Sequence, residues 1–372
     1  MLTRRLVLSG LLSSCLPVAA SSQGSGATPP ALNDGWPVAD LTSAGLDPAT
    51  MSDLVGMIDA GASTPNIHAI LVDHAGRLVF EHYWTGEDGE LGIVAHGVQT
   101  LHDIRSISKS VTCLLLGIAL GGTAKEALAR PITSFFPDRK GLASGLNTVT
   151  LHHALTMTAG LSWNETIVPY TSRNDFIRLL SSDDPVGFIL SKEPRNSPGE
   201  TWTYNSGLTD LVAAVIEHMT GQPLMTYAED VLFGPLGISD YEWWRPPAWP
   251  KDHFPSASAG LRLRARDLAK IASITMQNGR WQGHQIVPRA WIANSTARHV
   301  EQIWGQYGYG YFWYRGRLIS GHPVIRGFGY GGQHILVLPE DGLAITIFAG
   351  NYDGPGWAAG ERIAGRVVRA LR

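Results

Sequence analysis

Residues 101–120 read LHDIRSISKSVTCLLLGIAL. Val111, Leu114, Leu115 and Ile118 recur at i, i+3, i+4 and i+7, the apolar stripe of a helix sunk into a core. Ser106 and Lys109, three apart just ahead of that stripe, share one face of the first turn. A serine at a helix start lies near unpaired backbone N–H groups and the positive end of the helix dipole, which favour developing negative charge. Lysine acts as a base only when its pKa is depressed, and burial beside an apolar stripe depresses it. The pair reads as an activated nucleophile with its proton acceptor. Ser-x-x-Lys alone is a weak signal, which a surface serine and lysine on any helix also satisfy, so the rest of the chain has to decide.

A chain of 372 residues, 44% hydrophobic and 16% charged, has room for two packed units. A net charge of −3 supports neither nucleic-acid binding nor a polybasic membrane surface. Residues 1–20 predict an export signal: Arg4 and Arg5, an apolar run, then Val18-Ala19-Ala20 as a small-residue cleavage site. The paired arginines are compatible with twin-arginine export. Leu12-Ser13-Ser14-Cys15 also resembles a lipobox in which Cys15 would carry lipid, but cleavage there cuts the apolar run short and cleavage near Ala20 is preferred. No other uninterrupted apolar stretch reaches bilayer length, so no stable membrane span is expected. Cys113 falls in the apolar helix and loses its only possible partner with Cys15, so no disulfide is expected.

Residues 21–45, rich in Ser, Gly, Pro and Ala, read as a tether. Helices are expected over 51–60, 151–158, 266–278 and 357–371, and from Leu208, where Leu211, Val212, Val215, Ile216 and Met219 continue a 3.6-residue stripe closed by Gly221. Ile67–Val72 and Leu78–Tyr83 read as a hairpin about Asp73-His74-Ala75-Gly76, and His334–Leu338 and Leu343–Ala349 as two more strands. Strands at both ends and helices between them imply an α+β fold. Residues 46–128 and 255–372 would form one antiparallel sheet flanked by terminal helices, residues 129–254 an inserted all-helical domain, and the active site would lie in the cleft between them.

Tyr204, before the helix from Leu208, could shuttle a proton if neighbouring cations lower its pKa; packing at a helix entry is the plain alternative. Gly327-Phe328-Gly329-Tyr330-Gly331-Gly332 satisfies GxGxxG, but a strand-like run follows where a dinucleotide site needs a helix. Glycines entering a strand instead let backbone N–H groups approach a ligand, as in an oxyanion hole. The chain has no G-x-S-x-G and no H-E-x-x-H, and His152-His153 lacks metal-ligand spacing. The thirteen histidines read as surface or packing residues, and neither metal nor cofactor is expected.

Together these pieces resemble the serine β-lactamase and penicillin-binding-protein superfamily, and within it the class C-type branch that includes family VIII carboxylesterases and 6-aminohexanoate-dimer hydrolases. The resemblance runs from about Gly45 to the C-terminus and rests on six stretches in order: Arg105–Ser110; Leu155–Leu161; Tyr204-Asn205-Ser206; Phe233–Ile238; Gly260-Leu261-Arg262; and Gly329–Gln333. It implies an acyl-enzyme mechanism in which Ser106 attacks, Lys109 accepts its proton and Tyr204 relays one to the leaving group. It also implies an oxyanion site at the backbone N–H groups of Ser106 and Gln333. Tyr330-Gly331-Gly332 stands where β-lactamases carry Lys-Thr-Gly, and Ser206 where they carry an amide-binding Asn. A neutral phenol cannot draw in an antibiotic's carboxylate, so the departures favour ester or small-amide substrates over β-lactams. A β-lactamase or D-Ala-directed peptidase is the nearest alternative. A sensor domain acylated once at Ser106 is the alternative of another class.

Overall fold

The computed structural model describes residues 28–61, 66–89, 91–352, 354 and 356–372; the predicted signal, Cys15 and the start of the predicted tether lie outside the described residues. One antiparallel sheet of eight strands organises the chain. Its strands are β1 (Ile67–His74), β2 (Arg77–Tyr83), β3 (Val300–Trp304), β4 (Tyr307–Tyr309), β5 (Tyr314–Arg317), β6 (Pro323–Gly329), β7 (Gln333–Leu338) and β8 (Leu343–Ala349), in the order β3-β4-β5-β6-β7-β8-β1-β2. The N-terminal hairpin therefore joins the sheet only through the last strand. Ala75 and Gly76 both take positive φ and Asp73 accepts from Gly76 N, the two-residue turn that matches strand twist.

Five helices matter for the site: α1 (Pro48–Asp59), α2 (Ser108–Leu120), α3 (Ser206–Thr220), α4 (Ala265–Met276) and α5 (Gly356–Arg369). The middle strands β7 and β8 are buried along their whole length because both faces are covered. α4 packs on β1, β7 and β8, and α5 packs on β7, β8 and α1. On β7 the alternation is explicit: His334 turns to Gly356 of α5, whereas Ile335 lies on the side where Ile107 approaches Gly327.

α2 is buried around nearly its whole circumference, against α3 and the helix Arg289–Ser295. A Cβ on Gly117 would meet the Trp291 indole at 1.9 Å, and that indole donates to the Cys113 carbonyl at 2.9 Å. Each leucine so buried contributes about 2 kcal/mol of transfer free energy. The helical run Arg105–Ala129 has the length and hydropathy of a membrane span, but it is mostly packed inside the protein as its core helix.

Three expectations change. Residues 28–45 are no free tether: Val38 pairs with Leu78, the Trp36 indole donates to Asp73, and Arg266 binds the Pro30 carbonyl and Asp34. Four strands, β3–β6, occupy residues 300–329, where none is expected from sequence. The expected all-helical segment also supplies a strand, Glu242–Trp243, to a small sheet with Leu261–Arg264 and Leu101–Asp103.

Candidate active site

The strand Leu101–Asp103 delivers the chain to a 3-10 turn, Arg105–Ile107, and α2 begins only at Ser108. Ser106 thus sits in the turn before the helix rather than in the helix. Arg105 adopts φ +47°, a left-handed conformation that costs a non-glycine residue about 1 kcal/mol. Asp103 holds its guanidinium at 2.7 Å, and the Tyr352 ring lies under it.

Lys109, 2% exposed, places its Nζ 3.2 Å from Ser106 Oγ and 2.8 Å from the Ser258 carbonyl oxygen. Burial pushes this amine down to about 8; the more distant carboxylates of Glu165 and Asp210 oppose that without reversing it. About a tenth of the amine is then neutral at pH 7, with a lone pair available to the serine hydroxyl. Asp210 on α3 is fully buried and accepts from both N and Oγ of Ser258, each at 3.1 Å. Burial holds its carboxyl above the ordinary carboxylate range.

Tyr204 precedes the N-cap of α3, Asn205, whose side chain accepts from Leu208 N at 3.2 Å. Its hydroxyl donates to Ser106 Oγ at 2.7 Å, and Lys109 Nζ lies 4.9 Å from the centre of its ring. The lowering of its pKa on which the shuttle reading was conditional does not occur. Burial, with Tyr314, Glu165 and Tyr309 close by, drives it well above 10, so it remains a neutral proton donor. No neighbouring cation outweighs the loss of water.

Ser206 does not face the groove. It is buried, and its N–H and Oγ both donate to Glu165, at 2.8 and 2.6 Å. Gln333 opens β7; its side chain donates to Ala349 O at 2.6 Å and accepts from Ala349 N at 2.9 Å, which fixes the backbone without offering the amide to a ligand. The Arg105–Ile107 turn packs on β6 and β7. A Cβ on Gly329 would meet Ile104 O at 2.5 Å, so that glycine lets the turn approach the sheet. The GxGxxG run is accordingly the β6–β7 hairpin, with Gly331 and Gly332 at φ +94° and +93°. Tyr330, 48% exposed, meets Tyr170 and Tyr352 at ring-centre distances of 6.1 and 5.4 Å. Beside the serine a cleft of about 870 Å³ is lined by Asn66, Glu87, Ile93, Arg105, Tyr330 and Tyr352.

Sequence reading missed Glu165, Asp210 and Ser258. Asp210 had a signal: a lone acid, four residues after Ser206, inside the stripe of Leu208, Leu211 and Val212.

The family model described as Beta-lactamase matches residues 65–365. The chain is 27% identical over 224 residues to esterase EstB of Burkholderia gladioli, covering 54% of this chain and 55% of that protein. It is 25% identical over 277 residues to 6-aminohexanoate-dimer hydrolase of Paenarthrobacter ureafaciens, covering 68% and 65%. The matches thus span between half and two thirds of these relatives. Among solved structures, EstCE1, described as a hydrolase with promiscuous acyltransferase activity, superposes with a TM-score of 0.67 at 16% identity, covering 91% of this chain and all of that one.

Proposed function

We propose that this chain, which belongs to the β-lactamase family, is an exported serine hydrolase that cleaves esters or small linear amides through an acyl-enzyme on Ser106. One observation carries the reading: Ser106 Oγ has a buried amine at 3.2 Å and a neutral phenol at 2.7 Å. A catalytic hydroxyl needs a proton acceptor and the leaving group needs a donor, and two different side chains stand in those places.

Ser106 Oγ attacks the substrate carbonyl carbon as its proton passes to the neutral Lys109 amine. The carbonyl π electrons move to oxygen, where the backbone N–H groups of Ser106 and Gln333 would hold the oxyanion. Tyr204 gives its proton to the departing alkoxide or amine and recovers one from the Lys109 ammonium. Water then attacks the acyl-serine, and the same groups return its protons. Tyr330, among Tyr170 and Tyr352, offers aromatic faces and no charge, which suits an uncharged acyl group. The relatives named as an esterase and a 6-aminohexanoate-dimer hydrolase support ester and linear-amide substrates. The sequence at residues 1–20 supports export.

The test is a panel of short-chain nitrophenyl esters, an aminohexanoate dimer and nitrocefin, run on wild type and Ser106→Ala. A burst followed by turnover on the ester, abolished in the variant, is expected. Strong nitrocefin turnover with weak ester turnover would reverse the substrate assignment, and labelling of Ser106 without turnover would make the chain an acylated sensor.

A further inference from the structure

Behind the cleft wall three buried histidines converge: His68 on β1, His96 just beyond the strand Gly92–Ala95, and His102 on the strand that leads to Ser106. One ring nitrogen of each lies within 4.8 Å of one from each of the others.

Their hydrogen bonds decide where the lone pairs point. His102 Nδ1 is 2.9 Å from the Asp103 carbonyl oxygen, an acceptor, so Nδ1 carries the proton and Nε2 keeps a lone pair. His68 Nε2 is 3.0 Å from Asn66 Oδ1. The Asn66 amide cannot turn over, because Oδ1 accepts from Glu87 N and Nδ2 donates to Glu87 O, both at 2.8 Å. His68 Nε2 therefore donates, and its Nδ1 keeps a lone pair. That lone pair meets the one on His102 Nε2 at 2.8 Å. Two lone pairs so close repel unless a positive centre lies between them. A metal ion satisfies both rings as neutral ligands. The third ring is primed as well: His96 Nε2 is buried with no hydrogen-bond partner among the described residues. Asp88 is itself buried.

We propose that His68, His96 and His102 bind one zinc ion, with Asp88 as buried counter-charge, and that the ion pins the strand Leu101–Asp103 carrying the nucleophile turn. Neutral imidazoles suit a borderline-soft divalent ion, and tetrahedral zinc at about 2.0–2.1 Å sets nitrogens about 3.3 Å apart. The His68–His102 contact then opens by about half an ångström. The His96 ring, stacked on His68 at 4.0 Å and 14°, tilts out of the stack with no Nε2 hydrogen bond to break.

Tag-free full-length protein, stripped with a chelator and titrated with Zn²⁺ against a chromophoric zinc chelator, should take up one ion per chain. Co²⁺ in its place should give the visible bands of a tetrahedral site, and zinc should raise Tm by several degrees. His102→Ala should weaken zinc binding by about 100-fold or more. His96→Phe preserves an aromatic stack, so it should fold and still lose the ion. Absence of uptake at micromolar free zinc overturns the proposal, as does uptake unchanged by both substitutions. Each readout is independent of ester turnover.

Discussion

Two lysines lie equally deep in this protein, and their surroundings send them to different work. Lys270 on α4 is 1% exposed, with Asp267 at 3.6 Å and Asp34 at 4.0 Å. Lys109 on α2 is 2% exposed, yet among the described residues its nitrogen hydrogen-bonds to the Ser106 hydroxyl and the Ser258 carbonyl, over the Tyr204 ring; its carboxylates, Glu165 and Asp210, act from beyond ion-pair reach. Burial alone therefore does not make a base. A carboxylate in contact compensates the ammonium and ties it into the structure. A hydroxyl and a carbonyl leave desolvation in command, and the amine becomes able to give up its proton near neutrality.

Substitutions can break that contrast, beginning with the hydroxyl that the Lys109 amine contacts. Ser106→Ala should cut kcat/KM for a nitrophenyl ester by about 10⁵-fold and leave Tm unchanged, checked by steady-state kinetics and intact-mass labelling. Lys109→Met should lower kcat by roughly 10³-fold with Tm unchanged or raised, because it removes a buried amine with no carboxylate in contact among the described residues. If kcat survives that change, the amine is not the base. Tyr204→Phe should cost about 10²-fold, mainly in kcat, since the phenol acts during proton transfer. Lys270→Met should give the opposite pattern to Lys109→Met: wild-type kcat, but a loss on the order of 3 kcal/mol in chemical denaturation as the buried Asp267 loses its cation, while Asp34 keeps Arg266.

The finest test is a pH profile. Turnover requires the neutral amine, so kcat/KM should rise with pH and level off above about 8. Asp210 favours the ammonium, so Asp210→Asn should move that rise to lower pH, by about one unit or less. Stability follows the same group. Its folded pKa lies below the unfolded 10.5, so between about 8 and 10.5 the unfolded chain holds a proton that the folded one has shed. Stability contributed by Lys109 therefore grows with pH across that window and is flat below it. Lys109→Met should remove that slope.

What could be read from the chain divides by range. Ser106 and Lys109 are three residues apart, and the stripe beneath them announces burial, so the close pairing of hydroxyl and buried amine was legible from local pattern. Tyr204 lies 98 residues on and could be placed only by family resemblance. The direction of its pKa shift was not legible because a sequence does not display desolvation. Ser206 matched a motif position, but whether it faces substrate or Glu165 depends on a loop folding back from residue 165. Strands β3–β5 are only three to five residues long, and β6 begins with a proline and carries two glycines, so none shows a clean alternating run; neighbours in the ladder hold them, not intrinsic preference. The three histidines fell to the same obstacle. They stand 28 and 6 residues apart, a spacing that matches no local ligand motif.

The strand order carries a consequence for synthesis. The N-terminal hairpin finds its inner neighbour only in residues 343–349, so a nascent chain still tethered to the ribosome short of that point holds an open β edge. The turn bearing Ser106 likewise waits for residues 323–338 to form the strands it rests on. Contact order is high and folding correspondingly slow, so the protein should gain its activity late, in a single event that follows translation of residues 323–349.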